Sequence, residues 1–152
     1  MNCEVKRLSM REILFRGHVS KNEWVHGLPI EGEPLVGEGK RTCIVTKPGL
    51  TYYDGILMTY NECVEVEPDT IGQFTGLTDR NGAKIFEGDI VKYFDSWIGK
   101  VEYDSDSALF AINFVDFVDG DYSYFGEVAC GFCEVIGNIY DSPELLEVSG
   151  ND

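Results

Sequence analysis

The sequence has no apolar run near the ~18–20 residues that a membrane-spanning helix requires. Its first nine residues contain no apolar stretch of the signal-peptide type. Its five cysteines are odd in number and scattered along the chain, which does not fit a disulfide framework. We therefore expect a soluble cytoplasmic protein that has no membrane partner.

Basic residues are also scarce. The chain has 12 Lys and Arg against 27 Asp and Glu, a formal charge of −15. From Asp89 onward, 14 acids oppose only Lys92 and Lys100. Nucleic-acid binding depends on basic groups that displace counterions, so this balance disfavours it without excluding it. The simpler interpretation is that these acids only form a solvated surface. The more specific one is that they form an acidic face that binds a basic protein partner.

The residues needed for common catalytic sites are few. Only His18 and His26 are available for serine–histidine–acid chemistry, and no serine stands in a nucleophile-elbow context. The glycine-rich residues 32–41 do not form a Walker loop, because Glu38 occupies the lysine position. Paired carboxylates are unavoidable among 27 acids and carry no weight. We predict no catalytic residues, no cofactor and no enzyme activity.

Two sequence patterns invite a metal site. Cys130 and Cys133 have the spacing of half a zinc site, but Cys43 and Cys63 are the only conceivable further ligands and neither has a paired neighbour. Small buried cysteines are therefore the better interpretation, with zinc as the alternative. Residues 116–127 carry an acid at both ends, as in a calcium-binding loop, but the inner positions lack the oxygen ligands and the glycine that such a loop requires. A looser cation site among three acids remains open: Asp116, Asp119 and Asp121.

The pattern of residues is typical of a mainly β protein with little helix. Seventeen glycines and short alternating segments predict consecutive strands joined by tight turns. The clearest turn signal is Asn81-Gly82, since this dipeptide readily takes the positive φ values of a hairpin turn. Ser142 before Pro143 predicts a short C-terminal helical turn with a serine N-cap. The strands are predicted near residues 11–17, 23–30, 42–46, 60–67, 72–77, 83–87, 90–94, 98–103, 110–114, 122–125 and 134–140.

These segments suggest two modules. We predict a loose N-terminal extension at residues 1–9, with Met10 as an alternative start, followed by a β-rich module at 10–70. Residues 71–147 are expected to form small antiparallel sheets that curl into a partly closed barrel, and 148–152 form a tail. Aromatic residues can serve an interface, but here we expect them to build the core. These aromatics are Tyr52, Tyr53, Tyr122, Tyr124 and Phe125.

Residues 68–91 resemble the central signature of the YopX-like family. The signature runs as GQFTGL, then D-x-NG, then I-aromatic-EGDIV, and the chain carries all three in that order. Residues 11–17 with Trp24 and Val25 are similar to the family's opening, and residues 135–146 to its close. Together the matches cover most of residues 10–147, although 31–60 and 104–132 depart from the pattern.

The resemblance implies a prophage-encoded protein of a bacterial host cell, with a mostly β fold whose C-terminal part looks like a small SH3-like barrel. It implies no biochemical activity. We expect the signature to be architectural, because its glycines suit bends and Asp89 can bond back to a loop amide. The signature residues are Gly72, Gln73, Phe74, Thr75, Gly76, Asp79, Asn81, Gly82, Gly88, Asp89, Gly137 and Asn138.

Three functional hypotheses follow. The first is a non-enzymatic accessory protein that acts through protein–protein contacts or self-association. The second is a nucleic-acid-associated small barrel that gathers basic residues of the N-terminal half on one face. Its candidates are Lys6, Arg7, Arg11, Arg16, Lys21, Lys40, Arg41 and Lys47. The third is an acidic DNA mimic that blocks a host DNA-binding protein, which requires carboxylates spaced along an elongated face.

Overall fold

Eleven β-strands account for most of the described chain. The computed structural model describes residues 12–34, 37–115, 122–124 and 131–147. The strands are β1 (Phe15–Ser20), β2 (Glu23–Gly32), β3 (Arg41–Tyr53), β4 (Ile56–Glu65), β5 (Gly72–Thr78), β6 (Lys84–Phe86), β7 (Asp89–Tyr93), β8 (Trp97–Asp104), β9 (Leu109–Phe114), β10 (Tyr122–Tyr124) and β11 (Cys133–Asn138).

The strands form two antiparallel sheets. The first has six strands in the order β4-β3-β2-β1-β5-β6, and the second has five in the order β10-β9-β8-β7-β11. No closed barrel occurs among the described residues, which agrees with a partly closed C-terminal arrangement. The mainly β prediction is confirmed. β5 and β6 pair with the first sheet although they lie within residues 71–147, while Ile85 of β6 packs into the core of the second.

Tight turns join most neighbouring strands, and two of them differ from the prediction. Asp54 and Gly55 have φ angles of 49° and 75°, the geometry of a type I′ turn. The strands predicted at 42–46 and 60–67 stop far short of this turn, whereas β3 and β4 both continue to it. At residues 79–82 only Gly82 has a positive φ, 82°, and its N–H donates to the Asp79 carbonyl at 3.0 Å. The expectation that Asn81 also takes a positive φ is wrong, because only the glycine closes this turn.

The core of the second sheet is built from alternating apolar residues. Phe110, Ile112 and Phe114 alternate along β9 and are buried. Ala111 lies between them and is also fully buried, so β9 is covered on both faces. The core cluster comprises Ile85, Val91, Val101, Ile112, Phe114 and Cys133.

Two short 3₁₀ helices complete the described elements. One spans Pro68–Thr70, between β4 and β5. The other spans Pro143–Leu146 and confirms the predicted C-terminal helical turn. Ser142 is the N-cap residue of this helix, but its side chain makes no capping hydrogen bond. The helix starts at Pro143, whose fixed φ suits the first helical position. The predicted extension at 1–9 and tail at 148–152 lie outside the described residues.

Candidate functional site

Two carboxylates of the signature are buried and bind backbone amides. Asp79 accepts hydrogen bonds from the amides of Asn81 at 2.8 Å and Ala83 at 2.9 Å through one oxygen. Its other oxygen accepts from the Val135 amide of β11 at 3.0 Å. Asp79 therefore shapes the turn between β5 and β6 and ties it to the second sheet.

Asp89 is the more deeply buried of the two, with 1% of its surface exposed. It accepts a hydrogen bond from the Phe86 amide at 2.7 Å, which confirms the expected bond to a loop amide. An oxygen of Asp89 also lies 2.6 Å from Arg16 Nη2 in a buried ion pair. Burial raises the pKa of Asp89, and Arg16 opposes that shift. The guanidinium is held between the rings of Trp24 and Phe86, at 4.6 and 4.9 Å from their centroids.

The remaining signature residues lie at bends and close strand contacts. A Cβ on Gly72 would stand 2.4 Å from the Glu87 carbonyl oxygen, so β5 can approach the 87–88 turn only without a side chain. The Gln73 carbonyl accepts a hydrogen bond from the Glu87 amide of that turn. The Thr75 hydroxyl donates to the Ile85 carbonyl, and the ring of Phe74 packs on that of Phe86. Gly76 and Gly88 have positive φ, Gly137 sits at a bulge in β11, and Asn138 accepts from the amides of Tyr140 and Asp141.

A second polar cluster joins the β1–β2 hairpin to the C-terminal segment. The Asp141 side chain is 7% exposed. It accepts from Trp24 Nε1 at 2.7 Å, from the Asn22 amide at 3.0 Å and from Asn138 Nδ2 at 3.0 Å. Burial acts to raise the pKa of Asp141, but these hydrogen bonds outweigh it. Together with His18 they hold the pKa well below its usual value.

His18 lies between two carboxylates in this cluster. Its Nδ1 is 3.4 Å from Glu67 and its Nε2 is 3.4 Å from Asp141, while its ring packs on Trp24 at 4.9 Å. In the described part of the chain these ring nitrogens contact acids and no serine or cysteine. The Thr70 hydroxyl nearby donates to the Glu67 carbonyl and accepts the His18 amide. The cluster holds the hairpin in place and offers no activated nucleophile.

His26 lies apart from this cluster. It belongs to β2 and packs on Phe86, with 5.3 Å between ring centroids. Burial lowers the pKa of His26, and the charges of Arg16 and Lys84 lower it further.

The candidate metal ligands are not brought together where they can be traced. Cys133 is buried in the core of the second sheet, as expected for a small structural cysteine. Cys43 is half-buried and burial raises its thiol pKa, whereas Cys63 is exposed. Within the described ranges no three metal-ligating side chains cluster. Cys130, the acids Asp116, Asp119 and Asp121, and Phe125 lie outside those ranges, as do the side chains of Tyr122 and Tyr124.

A cleft of about 440 Å³ lies where β1 and β5 meet the second sheet. Phe15, Gln73, Glu87, Tyr103 and Phe110 are among its lining residues. Glu87 and Tyr103 are the titratable groups in this lining. The residues that line this cleft include no histidine, cysteine or second carboxylate to stand with Glu87.

The most unusual surface is a projecting β-ribbon. β2 pairs with β3 only along residues 41–45, so residues 47–62 continue as a two-stranded ribbon, here called the arm. Six large apolar or aromatic side chains on it are 48–74% exposed: Leu50, Tyr52, Tyr53, Ile56, Leu57 and Met58. The prediction that Tyr52 and Tyr53 build the core is wrong, because the ribbon extends beyond the sheet.

The comparisons with known proteins agree with the fold. The family model described as YopX protein matches residues 37–147, which is well over half of the chain. The chain belongs to the YopX protein family. A crystal structure titled protein EF1440 from Enterococcus faecalis is similar, with a TM-score of 0.59 and 24% identity. The alignment covers 90% of this chain and 99% of that one, and at this identity it shows the fold alone.

YopX membership does not bring a biochemical role with it. Among curated proteins none matches the chain. The arm lies within residues 37–147, which the family model matches. No helix in the described ranges is both long and apolar enough to cross a bilayer.

Proposed function

We propose that this YopX-family chain is a non-enzymatic accessory protein that works through protein–protein contact, with the arm as its contact surface. The proposal includes a prophage origin and action in the cytoplasm of a bacterial host, on the strength of the family resemblance. The observation that carries it is the set of six exposed apolar side chains on a two-stranded ribbon, which pairs with no further strand among the described ones.

The size of this surface supports a binding role. The strand register puts Leu50, Tyr52 and Leu57 on one face of the ribbon and Tyr53, Ile56 and Met58 on the other. At roughly 200 Å² for a large side chain, each face exposes on the order of 400 Å² of apolar surface. The largest apolar patch of a typical monomer is ~300–600 Å² and is often functional, and here two such faces lie back to back on one ribbon. An isolated two-stranded ribbon is marginally stable in water, so a projecting arm gains stability when a partner covers it. Interfaces also favour tyrosine and methionine, both present here.

The charge placement argues against the nucleic-acid alternative. Several of its proposed basic residues are already paired: Arg16 with Asp89, Lys40 with Glu31, Arg41 with Glu65 and Lys47 with Glu62. A base held by a carboxylate displaces fewer counterions from a phosphate backbone. Lys6, Arg7 and Arg11 lie outside the described residues.

The DNA-mimic alternative also finds little support among the described acids. Asp79, Asp89 and Asp141 are turned inward, where they bind amides, Arg16 and Trp24. Glu102 pairs with Lys100, and Asp95 and Glu134 both pair with Arg80. These carboxylates stabilise the fold instead of forming a row of free charges on one face.

Polar substitution of the arm tests the contact role. Tyr52→Ser with Leu57→Ser changes a cross-strand pair of exposed residues. We expect unfolding stability to change by less than about 1 kcal/mol, while binding of any protein partner falls at least ~10-fold. Tyr103→Ser with Leu109→Ser changes two exposed residues on the second sheet and serves as the matched control.

The measurement is quantitative co-purification of partners with each tagged variant, alongside thermal unfolding. Equal recovery of the same partners by the arm variant and by wild type contradicts the proposal. So does a turnover activity that survives arm substitution but is lost on mutating the 440 Å³ cleft.

A further inference from the structure

We propose that the open edge of β4 pairs antiparallel with β4 of a second copy of this chain, which joins the two six-stranded sheets into one. This deepens the proposed function and rests on it, because it names the partner of the arm. The pairing is isologous: the same edge serves both copies about a twofold axis.

The four sheet edges differ in how well they are protected. β6 and β10, two of the outer strands, have three residues each. β11 is broken by a bulge between Val135 and Gly137. β4 is outermost in the first sheet, is ten residues long, and pairs with β3 alone among the described strands. Long unprotected edges are the ones that recruit another strand, so β4 stands out.

The two edges of the arm also differ. Beyond residue 46 the outer edge of β3 is free of β2, but it carries Lys47 and Pro48. Lysine and proline are the residues with which proteins block edge strands. Residues 56–61 of β4 contain no proline, no glycine and no charge. The open edge that is fit for pairing is therefore that of β4.

The direction of the β4 amides follows from the turn. A two-residue type I′ loop is closed by a hydrogen-bonded pair, here Tyr53 and Ile56. Hydrogen-bonded and non-hydrogen-bonded pairs alternate along an antiparallel ladder, so Leu50 and Thr59 form a non-hydrogen-bonded pair. The amides of such a pair point away from the facing strand. Pro48 opposite Asn61 agrees, since proline has no N–H to donate. The amides of Leu57, Thr59 and Asn61 therefore point away from β3, toward the open edge.

Self-pairing avoids the repulsion that the rest of the molecule would cause. Two copies each carry −15, yet residues 48–61 hold one formal charge, Asp54. With the twofold axis at Thr59, Leu57 of one copy pairs with Asn61 of the other, and Glu62 falls opposite Ile56 and not opposite another acid. Glu62 is also compensated by Lys47 at 3.3 Å. The arm is thus where two such acidic chains can meet at least electrostatic cost.

Proline substitution at the two members of one cross-strand pair separates the edges. Thr59→Pro removes an outward amide of β4, and Leu50→Pro removes an outward amide of β3 on the opposite side of the same ribbon. Neither amide belongs to the β3–β4 ladder. We expect wild type to sediment as a dimer, Thr59→Pro to raise the dimer dissociation constant at least ~10-fold, and Leu50→Pro to leave it within about 3-fold.

Sedimentation velocity across a concentration series gives the constants, and circular dichroism confirms folding. Hydrogen exchange of wild type supplies a readout that needs no variant. The amides of Leu57, Thr59 and Asn61 should become protected as concentration rises, while that of Tyr52, on the β3 edge, should not.

Three results overturn the inference. They are a wild-type chain that stays monomeric at high concentration, a folded Thr59→Pro that dimerises as wild type does, and equal loss in both proline variants. The proposed function survives these if Tyr52→Ser with Leu57→Ser still abolishes capture of another protein. If Tyr52→Ser with Leu57→Ser captures every protein that wild type captures, the proposed function fails as well as the self-pairing.

Discussion

Replacing Asp89 by alanine is expected to lower the free energy of unfolding by about 3–5 kcal/mol. The substitution leaves the Arg16 guanidinium buried without its carboxylate, which had been 2.6 Å away. It also removes the acceptor of the Phe86 amide, so a buried donor becomes unsatisfied. The loss reflects the cost of an uncompensated buried charge more than the strength of the ion pair itself.

Urea-induced unfolding measures this loss, and the chain provides a matched control. Arg41 and Glu65 form an ion pair at 2.7 Å, nearly the same distance, but both side chains are about half exposed. Glu65→Ala should therefore cost far less stability than Asp89→Ala, because solvent screens an exposed ion pair. If the two alanine variants lost equal stability, burial would not be what makes the Arg16–Asp89 pair important.

Replacing Asp141 by alanine is expected to cost about 2–4 kcal/mol at neutral pH, because it removes charge-assisted hydrogen bonds to Trp24, Asn22 and Asn138. The contribution should depend on pH. These bonds hold the pKa of Asp141 well below its usual value. A carboxylate whose pKa is lowered by folding contributes stability above its unfolded pKa, about 3.9, and loses it as pH falls through that range toward the folded pKa.

The stability gap between wild type and Asp141→Asn should therefore be widest near neutral pH and shrink below about pH 5. Unfolding curves at a series of pH values test this. Asp106→Asn, at an exposed turn, should change stability by less than about 0.5 kcal/mol. A gap for Asp141→Asn that stays constant down to the acid limit would contradict the assigned role of its charge.

Local patterns predicted the strands well because strand formation here follows local alternation and turn chemistry. β5, β7, β8 and β9 begin and end within one or two residues of their predicted bounds. Asp89 was also within reach, since its partner amide, Phe86, is three residues away. Such contacts leave a signal in a short stretch of sequence.

Long-range partnerships left no comparable signal. Arg16 and Asp89 are more than 70 residues apart, and Asp141 binds Asn22 and Trp24 across more than 110. No spacing rule connects residues so distant. Asp141 itself belongs to none of the sequence motifs, so only the folded chain shows that it secures the β1–β2 hairpin.

The arm was missed for a different reason. A half-buried strand alternates apolar with polar residues, but residues 50–58 of the arm expose both faces and show no such alternation. The Asp54-Gly55 dipeptide is a strong hairpin signal for the tip of the arm, but it carries no indication that the neighbouring tyrosines are exposed.

The central claim is that the arm, and not the scaffold or its cleft, is the working surface. The most direct test places a photo-crosslinking amino acid at Tyr52 on the arm or at Tyr103 in the cleft lining, both exposed, and irradiates cells that make the protein. The account predicts discrete protein adducts, including a dimer of the chain, from position 52 and not from position 103. Adducts from position 103 with none from position 52 would contradict it.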